Sequence, residues 1–70
     1  MTNTYKITKA TLDLVPGDVV LHGEGRDEVV QVVPPHGPGC VVVRVDVLRN
    51  GSSAHFYAGL SSKQVVEVWA

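Results

Sequence analysis

The sequence has little of what usually stabilises or activates a small protein. Its 70 residues include one cysteine (Cys40), one phenylalanine, one tryptophan, one methionine and a single isoleucine. A lone thiol cannot close an intrachain disulfide. A chain this short has little interior, so its stability must come from close packing or self-association. An excess of either charge is missing too: six Lys and Arg stand against seven Asp and Glu, a formal net charge of −1. Nucleic-acid binders ordinarily carry a basic patch or stripe. The longest apolar runs, such as 40–43, are far too short to span a bilayer, so no membrane partner is expected. The opening Met1-Thr2-Asn3-Thr4-Tyr5-Lys6 lacks a signal-peptide core. A single thiol and no signal point to the cytoplasm of a cell, the protein's own or a host's.

What the sequence does have is valine, fifteen residues against the one isoleucine, Ile7. Valine codons begin with G and isoleucine codons with A, so the bias suggests a GC-rich genome. Physically, β-branched side chains favour strands. No stretch shows a helical stripe. Short valine runs punctuated by Gly, Pro, Asn and Ser instead predict a single all-β domain, with 1–17 as an N-terminal strand and turn and 18–69 as the main body. Strands are expected at 5–8, 18–22, 28–33, 40–49, 52–58 and 64–69. Val15-Pro16-Gly17-Asp18 has the residue order of a type II turn, with Gly17 where φ must be positive. Residues 23–27 read as a loop. Pro34-Pro35-His36-Gly37-Pro38-Gly39 reads as a stiff one, and 59–63 as a tight connector with one 3₁₀ turn.

Asn50-Gly51 predicts a two-residue hairpin turn and thereby a register. Val47, Val45 and Val43 then face Ala54, Phe56 and Ala58. On the opposite face Leu48 meets Ser53, Asp46 meets His55, and Arg44 meets Tyr57. The first face is all apolar, and on the second the carboxylate–imidazole and guanidinium–aromatic pairs are chemically compatible. The other strands can be oriented by one polar residue each. Gln31 outward puts Val30 and Val32 inside, Glu67 outward puts Val66 and Val68 inside, and His22 outward puts Val19 and Leu21 inside. Ile7 and Leu12 complete the expected core around Phe56. The same choice points Val20, Val29, Val33, Val42, Leu48, Tyr57, Val65 and Trp69 outward. Contiguous exposed apolar area marks an interface, and Trp and Tyr are favoured anchors there.

Reactive constellations are weak. His22-Gly23-Glu24-Gly25 has neither the Lys-Ser/Thr nor the helix start of a phosphate cradle, and reads as a solvent loop. His22, His36, Cys40 and His55 are the soft ligands, but only His36 and Cys40 lie close in sequence, so no metal and no cofactor is expected. Cys40 beside a histidine lacks a positioned third group, which argues against an enzyme. Pro35-His36-Gly37-Pro38 fits a PxxP pattern, but a loop stiffened to control where the next strand starts explains it better.

The strand order, the Pro16-Gly17-Asp18-Val19-Val20 opening and the Gly59-Leu60-Ser61-Ser62 turn before the last strand resemble the SH3-like small β-barrel. The resemblance implies five to six antiparallel strands closed into a barrel. Size, valine bias and opening are also similar to small accessory proteins of actinobacteria and their phages. The expected function is a non-enzymatic protein-interaction module that self-associates or binds a host or viral protein. Its contact surface would comprise Val20, Val42, Arg44, Asp46, His55, Tyr57, Val65 and Trp69. A nucleic-acid-binding barrel and a virion structural component are the alternatives.

Overall fold

The computed structural model describes residues 3–69, with side chains through residue 68. β1 (Thr4–Ala10) leads into a 3₁₀ turn (Thr11–Asp13). β2 (Val19–His22), β3 (Gly25–Val33), β4 (Val42–Arg49), β5 (Ser52–Gly59) and β6 (Lys63–Trp69) follow. All pairings are antiparallel, in the order β1-β6-β2-β3-β4-β5.

This sheet is open, which corrects the expected barrel. Among the described residues β1 and β5 are its two ends and do not pair. The reason lies in how β6 is used. It pairs with β1 from Thr4↔Trp69 to Ala10↔Lys63, but meets β2 only at Val19↔Glu67 and Val20↔Val66. β1 and β6 therefore form a two-stranded ribbon held to the rest by a short seam. The molecule measures 47 × 24 × 20 Å, with a radius of gyration of 12.4 Å. A compact chain of this length would have about 11 Å. The 3₁₀ turn also lies elsewhere than expected. It follows β1, whereas the link from β5 to β6 is a plain turn closed by Ser62 N–H donating to Gly59 O at 3.0 Å.

Local turn chemistry is where the sequence reads true. Asn50 and Gly51 have φ of 54° and 78°, and β4 pairs with β5 in the register of a two-residue turn, from Arg49↔Ser52 to Val42↔Gly59. Gly17 has φ 97°, and Asp18 N–H donates to Val15 O at 3.1 Å. Asp18 secures this turn through its carboxylate, which accepts from Val15 N–H at 3.0 Å and from Lys9 Nζ at 2.7 Å. Burial acts to raise its pKa, but the Lys9 bond, the Val15 bond and the Lys9 charge together hold it below the usual value.

The inner face carries the core. Val43, Val45 and Val47 of β4, Val20, Val29, Val66 and Leu14 are buried, with Val32, Ala54, Phe56 and Val68 packed against them. Two expectations about facing fail here. His22 points inward rather than outward. Its ring meets Phe56 at 4.7 Å between centroids, so the inner faces of β2 and β5 approach one another across two intervening strands. With His22 inward, Val20 is also inward and fully buried, and Val19 and Leu21 lie on the outer face. In β3 the register skips between Val29 and Gln31. Val30 is the extra residue of this bulge and is exposed, while Val29 faces Val47 in the core. Ile7 and Leu12 are not core residues either, at 38% and 44% exposure. Ile7 pairs with Val66 on the edge strand, with no strand beyond it to cover it. Leu14 and fully buried Thr11 take the expected place of Leu12. Thr11 Oγ1 donates to Ser62 O at 2.9 Å.

Candidate functional site

Of the eight residues proposed for a contact surface, the structure brings five together. Val42, Arg44 and Asp46 project from the outer face of β4, beside His55 and Tyr57 of β5. The β3 bulge brings a third strand into step with them. By resetting the alternation it places Gln31 opposite Asp46 and Val33 opposite Arg44 on the same face. The other three separate from this group. Val20 lies in the core, and Val65 is exposed on β6, three strands away in the sheet. The Trp69 side chain lies outside the described residues. Between the β4–β5 patch and Val65, Arg26 of β3 ion-pairs with Glu67 of β6 across the outer face of β2, over half-buried Val19 and Leu21. The outer face is therefore not one apolar surface.

Two kinds of surface make up the β4–β5 patch. Its middle is a polar ladder. Gln31 Nε2 donates to Asp46 Oδ2 at 2.6 Å, and Arg44 Nε lies 3.1 Å from Asp46 Oδ1. The Gln31 hydrogen bond is the main reason the Asp46 carboxyl sits below its usual pKa. Desolvation opposes it, and the charges of Arg44 and His55 add to it. The His55 and Tyr57 rings meet edge to face, with centroids 5.3 Å apart. Toward the start of β4 the surface turns apolar. Tyr57 is 63% exposed, and Val41, Val42 and Leu60 are exposed beside it. Here Val33, Pro34, Pro35, His36, Cys40, Val42, Arg44 and Tyr57 line a groove of about 220 Å³. Drug-sized ligand pockets run from about 300 Å³ upward, so this groove suits one or two side chains better than a substrate.

The Pro34–Gly39 loop supplies one wall of that groove, a role its stiffness suits but that no motif revealed. It also brings His36 and Cys40 into one lining, whereas His22 lies on the inner face and His55 on the outer ladder. His22, His36, Cys40 and His55 are thus distributed over three places. Among the described residues no group of three or more His, Cys, Asp or Glu could hold a metal ion. No helix among them is long and apolar enough to cross a membrane.

Sequence reasoning missed one polar cluster entirely. Asp27, assigned to a loop, is the third residue of β3 and fully buried. Its carboxylate accepts Arg49 Nε and a terminal Arg49 nitrogen, each at 2.8 Å, and lies 3.5 Å from His22 Nε2. The Arg49 bond is the largest cause of its lowered pKa, with burial opposing and the Arg49 and His22 charges assisting. One signal was available: the Asn50-Gly51 register puts Arg49 on the same face as Val47, and a cation on an apolar face requires a carboxylate.

No protein-family model matches this chain. Neither a curated protein nor a solved structure matches it. The resemblance to SH3-like barrels is corrected by the open sheet, and no family model or solved structure matches in its support. The likeness to actinobacterial and phage accessory proteins has no match behind it either.

Proposed function

We propose that this chain is a non-enzymatic protein-binding module that makes contact through the outer face at the β4–β5 end of the sheet. The observation that carries this reading is the exposed Tyr57–Val42 patch beside a groove of side-chain size, with Arg44 at its rim. Buried aromatic anchors with charged neighbours are what protein interfaces use for most of their binding energy. The Arg44–Asp46–Gln31 ladder supports the reading because it holds Arg44 in place before a partner arrives, which lowers the ordering cost of binding.

A photo-cross-linking phenylalanine analogue placed at position 57, in cells that make the protein, tests this. Discrete protein adducts are expected from position 57, falling about tenfold with Val42→Ser. The same probe at exposed position 24, in the β2–β3 turn, should give none. No adduct from position 57, or equal labelling from both positions, would refute the reading.

A further inference from the structure

Among the described residues the sheet has two free edges, and they are unlike. β1 carries Lys6 and Lys9, charges of the kind that blunt an edge against pairing. β5, Ser-Ser-Ala-His-Phe-Tyr-Ala-Gly, has no Lys, Arg, Asp, Glu or Pro, and pairs with β4 over all eight residues without a bulge. Its unused backbone groups can be identified. A two-residue turn makes Arg49 and Ser52 a hydrogen-bonded pair, and at the other end Leu60 N–H donates to Val41 O at 2.8 Å. Even-numbered residues of β5 therefore bond to β4. The N–H and C=O groups of Ser53, His55 and Tyr57 and the N–H of Gly59 point away from β4, along the free edge, while the Gly59 C=O accepts from Ser62 N–H.

We propose that this edge pairs antiparallel with β5 of a second copy of the chain, about a two-fold axis through Phe56. The proposal rests on the β4–β5 end of the sheet being where contacts are made and adds a second copy of the chain along its edge, a contact separate from the outer-face patch. Parity selects the register. Opposed residues of an antiparallel pair share a face, so a two-fold axis perpendicular to the sheet must pass through a residue. An axis at Phe56 opposes His55 to the partner's Tyr57, Ala54 to the partner's Ala58 and Ser53 to the partner's Gly59. The His55–Tyr57 and Ser53–Gly59 pairs, each formed twice, use every free N–H and C=O of Ser53, His55 and Tyr57 and the N–H of Gly59, with the Gly59 C=O shared between Ser62 and the partner's Ser53. An axis at His55 or Tyr57 would draw Gly51 or Ser61, both in turns, into the ladder.

Self-complementarity is what makes a second copy the occupant. No like charges meet, because β5 carries no formal charge apart from His55 when protonated. The histidine–tyrosine contact already made within one chain recurs across the axis. Half-buried Phe56 meets its symmetry mate on the inner face, which extends a core that is small for want of residues. The Tyr57–Val42 patches of the two copies come to lie on one continuous outer face.

Sedimentation equilibrium from micromolar to millimolar concentration tests the pairing with the wild type, His55→Pro, His55→Lys and Val42→Ser. His55→Pro deletes an N–H that faces away from β4, so the intrachain ladder survives. His55→Lys gives β5 the kind of charge β1 already carries, and circular dichroism checks that each variant folds. The wild type and Val42→Ser are expected to dimerise, with the association constant of both edge variants lowered about tenfold or more. A monomeric wild type, assemblies that grow beyond dimers, or folded edge variants that dimerise like the wild type would each overturn the pairing. If Val42→Ser alone abolished association, the edge pairing would fall and the outer-face reading would stand. Adducts from position 57 with a monomeric wild type would separate the two in the same way.

Discussion

Arg49→Ala is expected to lower the unfolding free energy by about 3 kcal/mol at neutral pH, because it leaves the buried Asp27 carboxylate without its main partner. The value lies at the low end for a broken buried pair because Arg49 itself is half exposed. A 70-residue domain has roughly 4–10 kcal/mol in total, so the loss is severe. The melting temperature should fall by roughly 12 °C or more. The pH dependence identifies the cause. In the wild type the Asp27 pKa is lowered on folding. Its contribution is present above the unfolded value of about 3.9 and is lost as pH falls through the lower folded one. In the variant, desolvation no longer has a compensating cation. Proton uptake by Asp27 then favours the folded state. The stability gap between the two proteins should therefore be widest near pH 7, narrow as pH falls, and go on narrowing below about 4, where the wild type loses its own Asp27 contribution. Urea titrations at several pH values measure it. A loss under about 1 kcal/mol, or a gap that does not change with pH, would show that Asp27 remains solvated.

Val20→Ala is expected to cost about 2 kcal/mol through lost burial and the cavity left behind. Val20 is fully buried and pairs with both Asp27 and Val66. It is also half of the two-residue seam that holds the β1–β6 ribbon to β2. The loss should therefore be uneven. Amide exchange should accelerate most in β1 and β6 and least in the β4–β5 hairpin, since a local seam opens before the whole sheet does. An outward-facing Val20 at an interface would behave oppositely: its truncation would leave stability unchanged and weaken association instead. Thermal melts together with residue-resolved exchange distinguish the two.

The contrast between Val20 and Val45 shows what the sequence could convey. Val45 was placed correctly because Asn50-Gly51 dictates a turn type, the turn dictates a register, and period-two alternation carries that register along β4 and β5 without interruption. The patch of Val42, Arg44, Asp46, His55 and Tyr57 was legible for the same reason. Val20 was misplaced because β2 was oriented by the polarity of His22. A histidine can be satisfied on an inner face near its open end, here against Phe56 and Asp27. In β3, Gln31 was a sound guide for Val32 but not for Val29 and Val30. A bulge resets the alternation, and two adjacent valines conceal it. Openness of the sheet had no local signature at all. It follows from β6 pairing with β1 along seven residues and with β2 at only two, a non-local competition that composition and spacing do not express.

Amide hydrogen exchange along β5, at a concentration where the chain sediments as a monomer, tests most directly the claim that an open sheet leaves this edge free. The open sheet predicts alternation: slow exchange at Ala54, Phe56 and Ala58, which bond to β4, and fast exchange at Ser53, His55, Tyr57 and Gly59. Uniform protection of all seven amides in the monomer would mean that β5 is paired on both sides within one chain, and would contradict the account.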